Sequence, residues 1–179
     1  MNKVILLDRD GVINYDSLHY IKSEAEYILI PESVDAIARL TEAGYKIGLA
    51  TNQSGVSRGL YSEDTLLAIH QKMVNTIEEA GGRIDAIEYC IHLPEKNCAC
   101  RKPKPGMLYA LAQKLKCSLE GVPFVGDRIS DIQAAQAVGA YPVMILSSMT
   151  DRQHLQNYPQ IPTYDSLAAF VDTLLANPK

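Results

Sequence analysis

The sequence predicts an α/β fold of the doubly wound, Rossmann-like kind, a parallel sheet with helices on both faces. Three observations carry that expectation. Short runs rich in Val, Ile, Leu, Tyr and Phe alternate with stretches whose apolar residues recur at helical spacing. Caps and turn residues mark the borders between them. Polar side chains able to do chemistry gather just after the strand-like runs, where open parallel sheets place their ligands. A length of 179 residues fits one domain, and residues 1–179 are expected to form it.

"KVILL" (3–7) is the first strand, since charge returns at Asp8 after four apolar residues. "PESVDAIARLTEAG" (31–44) opens with Pro31 and closes at Gly44, the punctuation of a helix. "KIGLA" (46–50) is the second strand. Ser62 is a plausible N-cap for a helix whose stripe is Leu66, Ile69, Met73 and Ile77, ended by Gly81 and Gly82. "IEYCI" (87–91) is the third strand, and Met107, Leu108, Leu111 and Leu115 line the third helix. "VPFV" (122–125) follows, then a helix with Ile132, Ala135 and Val138 stopped by Gly139. "YPVMIL" (141–146) is the fifth strand. Residues from Ser147 to Pro162 are polar with scattered prolines and read as surface loop, with Asp151, Arg152 and His154 in solvent. Leu167, Phe170, Val171, Leu174 and Leu175 keep helical spacing near the end. The apolar stripes are core; His19 and His70 read as surface or helix positions rather than metal ligands.

An apolar share of 47% and a charged share of 21% are ordinary for a globular protein. No run approaches the roughly 20 apolar residues of a membrane span, and no secretory core follows the N-terminus. The net charge of −4 gives no electrostatic footprint for nucleic acid or an anionic membrane. Four cysteines without an export signal point to metal binding or catalysis rather than disulfides, and so to the cytoplasm.

"LLDRDGVIN" (6–14) brings Asp8 and Asp10 together directly behind a strand. Neighbouring carboxylates raise each other's cost of ionisation, so a metal, a shared proton or a cationic substrate would justify the pair. An exposed acidic turn is the alternative, and the other strand ends speak against it. Thr51 in "ATNQSG" follows the second strand, and Asp127 and Asp131 in "GDRISD" follow the fourth. Carboxylates, a hydroxyl and lysines together suit phosphoryl transfer. Hard oxygen ligands suit Mg²⁺, and a carboxylate can act as nucleophile while a second one moves the proton. Thr51 and a lysine could then balance charge on the phosphoryl oxygens.

"LLDRDGVI", "ATNQSG", "RKPKPG" and "VGDRISD" resemble, in order and spacing, the four motifs of the haloacid dehalogenase superfamily of phosphatases. The likeness runs from about Val4 to Gly139. It implies Asp8 as nucleophile, Asp10 as general acid and base, and Thr51 as the second-motif hydroxyl. It also implies a Mg²⁺ site made by the Asp8 side chain, the Asp10 carbonyl and Asp127. Of the two lysines in "RKPKPG", Lys102 matches the family position, which leaves Lys104 as loop charge. Asp131 is expected either to support the site, orienting a metal-bound water or Lys102, or to serve simply as a helix-start carboxylate.

"CIHLPEKNCAC" (90–100) has the form C-x-H-x₅-C-x-C, and Cys90, His92, Cys98 and Cys100 make a Cys₃His set suited to Zn²⁺. With four protein ligands the zinc would be structural, shaping a loop too short and polar to fold alone and aiming Arg101 and Lys102. Cys117 falls outside the set and reads as core. The cluster resembles two zinc-bearing, capless branches of the superfamily, the heptose 1,7-bisphosphate phosphatases and the histidinol-phosphate phosphatases. "TNQSGVSRG" and "RKPKPGM" look like the first, whereas the compact spacer in the zinc loop is equally familiar from the second. The resemblance thus implies a Mg²⁺-dependent phosphatase with a structural Zn²⁺. Its expected reaction is hydrolysis of a heptose bisphosphate at C7 through an aspartyl-phosphate, on the route to heptose nucleotide precursors of the lipopolysaccharide core. Histidinol phosphate is the alternative substrate.

Without a cap, loops at the sheet edge must select the substrate. Candidates are Asp16 and Tyr20 for sugar hydroxyls, Asn52, Gln53 and Ser54 after the second strand, and Arg101 and Arg128. Arg101 is expected to grip the C1 phosphate; Arg128 stands where some heptose enzymes have lysine. The expected partner is the small sugar bisphosphate, with no nucleic acid and no membrane, and the expected state is a monomer. A phospho-accepting receiver domain would carry its reactive aspartate after a middle strand. A zinc-organised nucleic-acid binder would be basic and rich in stacking aromatics, and a P-loop kinase would need a motif absent here.

Overall fold

In the computed structural model, which describes residues 2–177, six parallel strands form one sheet in the order β3-β2-β1-β4-β5-β6. They are β1 (Val4–Leu7), β2 (Lys46–Asn52), β3 (Ala86–Cys90), β4 (Pro123–Gly126), β5 (Tyr141–Ile145) and β6 (Thr163–Tyr164). The chain builds outward from β1 on one side, then crosses back and builds outward on the other. β1 and β4 are therefore the neighbours at which strand order reverses, with Leu6 opposite Phe124 and Leu7 opposite Val125. That is the switch point of the doubly wound fold.

Helices α1 (Pro31–Glu42), α2 (Glu63–Glu79), α3 (Gly106–Leu115), α4 (Ile129–Ala137) and α6 (Leu167–Ala176) cover both faces. Alternation along β1 splits the core in two. Ile5 and Leu7 pack with Ile37, Leu40, Ile69, Met73 and Phe170 from α1, α2 and α6. Val4 and Leu6 pack with Leu108, Leu111, Ala134 and Ala135 from α3 and α4. Burial on both sides explains why β1 is apolar throughout. Pro31 stands at the start of α1, and Ser62 caps α2 by accepting from Thr65 N at 3.1 Å.

The five expected strands and five expected helices are present within a residue or two of their predicted limits. The loop after β5 holds more than predicted. One helical turn, α5 (Arg152–Leu155), is capped by Asp151, and Thr163–Tyr164 add a sixth strand just beyond Pro162. Two residues cannot display a period, which is why β6 left no pattern to read. Asp151, Arg152 and His154 are exposed as expected. Among the described residues no helix is long and apolar enough to cross a membrane.

Candidate active site

The backbone N–H of Asp8 donates to Val125 O at 2.9 Å, carrying the sheet ladder one residue past β1 and fixing Asp8 at the switch point. Its carboxylate is buried, and Lys102 Nζ lies 3.0 Å from Asp8 Oδ1. The same ammonium donates to Asp131 Oδ1 at 2.7 Å and to Ala50 O at 2.9 Å. Burial alone would lower the Lys102 pKa, yet Asp131 and Asp8 raise it and keep the lysine charged. Lys104 instead reaches out to Asn97, so of the two lysines Lys102 is the one at the site. Asn52 holds the Lys102 backbone on both sides, accepting from its N–H at 3.0 Å and donating to its carbonyl at 3.1 Å.

Asp131 serves both of its expected uses. Besides binding Lys102 it accepts from the N–H groups of Asp127 (3.2 Å) and Arg128 (3.0 Å), capping α4. A Cβ on Gly126 would overlap this carboxylate, so the close approach requires glycine.

Carboxylate oxygens of Asp8, Asp127 and Asp131 lie within 4.8 Å of one another. Burial, then the Asp131 carboxylate, push Asp127 up to about 7, and burial raises Asp8 well above the usual range despite Lys102. Such a group of buried like charges is relieved by a cation. Asp127 Oδ1 is buried and has no hydrogen-bond partner, the kind of orphan that a metal would satisfy. Both Asp131 oxygens are engaged, whereas Asp8 and Asp127 are each held through one oxygen and keep the other for a cation, and this oxygen set fits Mg²⁺.

The Asp10 side chain turns the other way. Arg9, only 1% exposed, grips Asp10 Oδ1 through Nε (2.9 Å) and Nη2 (2.7 Å), and Asn14 Nδ2 donates to the same oxygen at 2.9 Å. Gln53 Nε2 donates to Asp10 Oδ2 and to Thr51 Oγ1, each at 2.9 Å, while Tyr61 donates to Gln53 Oε1 at 2.6 Å. Burial opposes ionisation of Asp10, but the Arg9 guanidinium and these hydrogen bonds outweigh it and hold the carboxyl below its ordinary value. Only the Asp10 backbone carbonyl is left for a metal. Thr51 is buried, its hydroxyl accepts from Gln53, and it is not among the residues that line the cavity.

Arg9, Asn14, Tyr27, Tyr61 and His70 escaped the sequence reading. Arg9 Nη1 lies 3.2 Å from His70 Nε2, and its guanidinium sits 5.2 Å from the Tyr27 ring centroid. Burial first, then the Arg9 charge, drive the His70 pKa down to about 3, so His70 is neutral. Of the two expected places, surface or helix, His70 takes the helix, α2, and is buried there, and the signal for its burial existed. It stands four residues after Leu66 and three before Met73, on the stripe that points inward.

Cys90, His92, Cys98 and Cys100 converge as the spacing predicts. Cys90 Sγ is 3.0 Å from Cys100 Sγ and 3.6 Å from Cys98 Sγ, and His92 Nδ1 is 3.3 Å from Cys100 Sγ and 3.6 Å from Cys90 Sγ. A tetrahedron with Zn–S bonds of about 2.3 Å has edges of roughly 3.8 Å, so this S₃N set could close on zinc with small adjustments. All four positions are filled by protein. Cys117 lies apart and packs against the α3 and α4 core.

Above the acidic floor is a cavity of about 590 Å³ whose wall includes Asp16, Leu18, Tyr20, Asn52, Gln53, Ser54, Arg101, Arg128 and Met149. Every candidate selector is thus at its edge, though several are already engaged. Arg128 Nη2 pairs with Asp16 Oδ2 at 3.1 Å, which joins two residues predicted separately. Arg101 Nη1 donates to His92 O at 3.4 Å, and Ser54 Oγ accepts from Arg58 Nε at 3.2 Å.

Comparison with known proteins gives concordant likenesses. A family model described as HAD-hydrolase-like matches residues 99–172. A D-glycero-beta-D-manno-heptose-1,7-bisphosphate 7-phosphatase of Pseudomonas putida is 48% identical over 174 residues, covering 97% of this chain and 99% of the relative. The enzyme so named from Bordetella bronchiseptica is 50% identical over 143 residues, 80% of each chain. The crystal structure of D,D-heptose 1,7-bisphosphate phosphatase from B. bronchiseptica, complexed with magnesium and phosphate, superposes with a TM-score of 0.90 at 43% identity, covering 97% of this chain and 98% of that one. The phosphatase of the same name from Burkholderia thailandensis gives 0.72 at 34% identity, covering 98% and 100%.

Proposed function

The chain belongs to the D-glycero-beta-D-manno-heptose-1,7-bisphosphate 7-phosphatase family of haloacid dehalogenase-like hydrolases, and we propose that it hydrolyses the C7 phosphate of that sugar bisphosphate. It is a phosphoric monoester hydrolase. The observation that carries the mechanism is the buried Asp8 carboxylate, 3.0 Å from Lys102 at the cavity floor and beside the unpartnered Asp127 Oδ1.

Mg²⁺, when bound by the Asp8 and Asp127 carboxylates and the Asp10 carbonyl, supplies positive charge to the phosphoryl oxygens and offsets repulsion between the aspartates. Asp8 attacks phosphorus in line while the bond to the sugar C7 oxygen breaks, and Asp10 gives that oxygen its proton. Arg9, Asn14 and Gln53 hold Asp10 ionised in this arrangement, which suits its second, basic step; to act as the acid it must take up a proton as substrate binds. Asp10 then takes a proton from water, whose oxygen attacks phosphorus as the Asp8 oxygen leaves, and inorganic phosphate departs. Lys102 balances charge at Asp8 throughout, and Asp131 keeps it there. Gln53 acts through Asp10 and Thr51 rather than on the sugar. Thr51 would meet a phosphoryl oxygen only if Gln53 moves aside.

Zinc at Cys90, His92, Cys98 and Cys100 would fix the loop that carries Arg101 and Lys102. Arg101 and Arg128 face the C1 phosphate, with Asp16, Tyr20, Asn52 and Ser54 around the sugar. The proposed state is a monomer and the proposed setting the cytoplasm, in supply of heptose nucleotide precursors. The relatives favour the heptose branch, so histidinol phosphate is withdrawn as the alternative substrate.

Phosphate release from heptose 1,7-bisphosphate, histidinol phosphate and an aryl phosphate tests this reading. The bisphosphate should give the highest kcat/KM; preference for histidinol phosphate would overturn it. Arg101→Ala should cost about 2–3 kcal/mol in kcat/KM on the bisphosphate and much less on the aryl phosphate, the range for one charge-assisted hydrogen bond. Equal losses on both would assign Arg101 to the reacting phosphate or the fold.

A further inference from the structure

Asp127 is fixed by more than its strand. Ser147, two residues beyond β5, donates from Oγ to Asp127 Oδ2 at 2.7 Å. The same Oγ accepts from Met149 N at 3.1 Å, and because an ionised carboxylate can only accept, the one hydroxyl proton goes to Asp127. The turn holding Ser147 is itself tied down. Thr150 Oγ1 accepts from Ser147 N at 3.0 Å and approaches Asp127 O at 2.8 Å.

Gly11 closes the other side of Oδ2. Its φ is +82°, a conformation that disfavours side chains, and a Cβ there would overlap Asp127 Oδ2. Oδ2 is therefore bonded by Ser147 and walled by Gly11, while Oδ1 of the same carboxylate is buried and has no hydrogen-bond partner. Arg128 Nε approaches Oδ1 no closer than 3.9 Å. The donor to Oδ2 is neutral, so it orients the carboxylate without spending its charge.

We propose that Ser147 is a positioning residue for the catalytic cation: held by the 147–150 turn, it fixes the Asp127 carboxylate with Oδ1 presented for coordination. This deepens the function proposed above and rests on its reading of Asp8 and Asp127 as the Mg²⁺ carboxylates. Partners of this kind orient ligands before the ion arrives, and their loss commonly weakens metal binding 10–100-fold.

Titration calorimetry with Mg²⁺ on the zinc-loaded full-length protein tests it. Ser147→Ala should weaken Mg²⁺ binding at least about 10-fold, with unchanged zinc content. The Mg²⁺ concentration for half-maximal phosphate release should rise in step, and turnover should recover at saturating Mg²⁺. Ser147→Thr, which keeps the hydroxyl, should bind close to wild type. Alanine-variant affinity within threefold of wild type overturns the role of Ser147 alone; wild-type protein that binds no Mg²⁺ overturns the metal reading beneath it. If the alanine variant does not fold, Ser147→Cys replaces it as a weaker donor. Intermediate affinity then supports the proposal, and wild-type affinity overturns it.

Discussion

Asp8, Asp127 and Asp131 stand at strand ends and a helix start, whereas of the cysteine cluster only Cys90, the last residue of β3, does so; His92, Cys98 and Cys100 follow along a loop whose one regular element is the 3-10 turn Pro94–Lys96. The oxygen site is prepared by protein. Lys102, Ser147 and backbone N–H groups hold its carboxylates, and one buried oxygen is left without a partner. The sulfur site has fewer supports, β3 at Cys90 and the Arg101 N–H at Cys98, and its four ligands face each other and leave no position open. The first arrangement leaves a cation able to meet substrate; the second closes a loop. The two meet in the chain at Cys100, Arg101 and Lys102, so the closed site sets where the cations of the open one begin.

Replacing the nucleophile should break the open site and spare the closed one. Asp8→Asn should cut turnover on the order of 10⁴-fold or more, about 5 kcal/mol in barrier, because an amide is a far poorer nucleophile. Folding, zinc content and measurable Mg²⁺ binding should persist. Activity within tenfold of wild type would remove Asp8 from that role.

Breaking the closed site should do the reverse, damaging stability first. Structural zinc contributes on the order of 10–16 kcal/mol of binding free energy in finger peptides, and Cys98→Ser should forfeit part of it. The melting temperature should fall and amide exchange should quicken at Arg101 and Lys102, while Cys117→Ser, outside the cluster, should be mild. Protein purified without chelator should carry one zinc per chain. Absence of zinc would refute the closed-site reading.

How far each region was legible in the sequence follows the same division. The D-x-D pair, Thr51 and Asp127 could be placed because strand ends of a parallel sheet converge, so order along the chain predicts place in space, whereas Lys102 is singled out by its match to the family motif. The cysteine cluster could be read because its ligands fall within 11 residues, and local spacing needs no fold to interpret. What stayed hidden was the orientation of side chains. Nothing in "DRD" says that Asp10 turns from Asp8 toward Arg9, or that Arg9 is buried. Ser147 was hidden for a related reason: its partner lies 20 residues away across a strand pair. Its loop was read by composition, which reports solvent affinity and not hydrogen bonding.

The buried network behind Asp10 offers the smallest effect and the finest separation of the two regions. His70 accepts from Arg9 and is neutral, with a folded pKa near 3 against an ordinary 6.5. The unfolded chain therefore binds the extra proton first, and folding stability should rise with pH across that interval. The sign is that of a depressed pKa: the contribution is complete above about 6.5, and it is lost progressively as pH falls toward 3. Between pH 7 and 5 the loss from His70 should be about 1–2 kcal/mol. Acid also competes with zinc for its ligands, which gives the closed site a slope of its own. His70→Gln can still accept from Arg9 but cannot titrate. Denaturant unfolding of this variant at pH 7 and pH 5 should show a pH dependence shallower by that 1–2 kcal/mol, leaving the zinc-linked part. An unchanged slope would remove His70 from the acid response and leave it as packing.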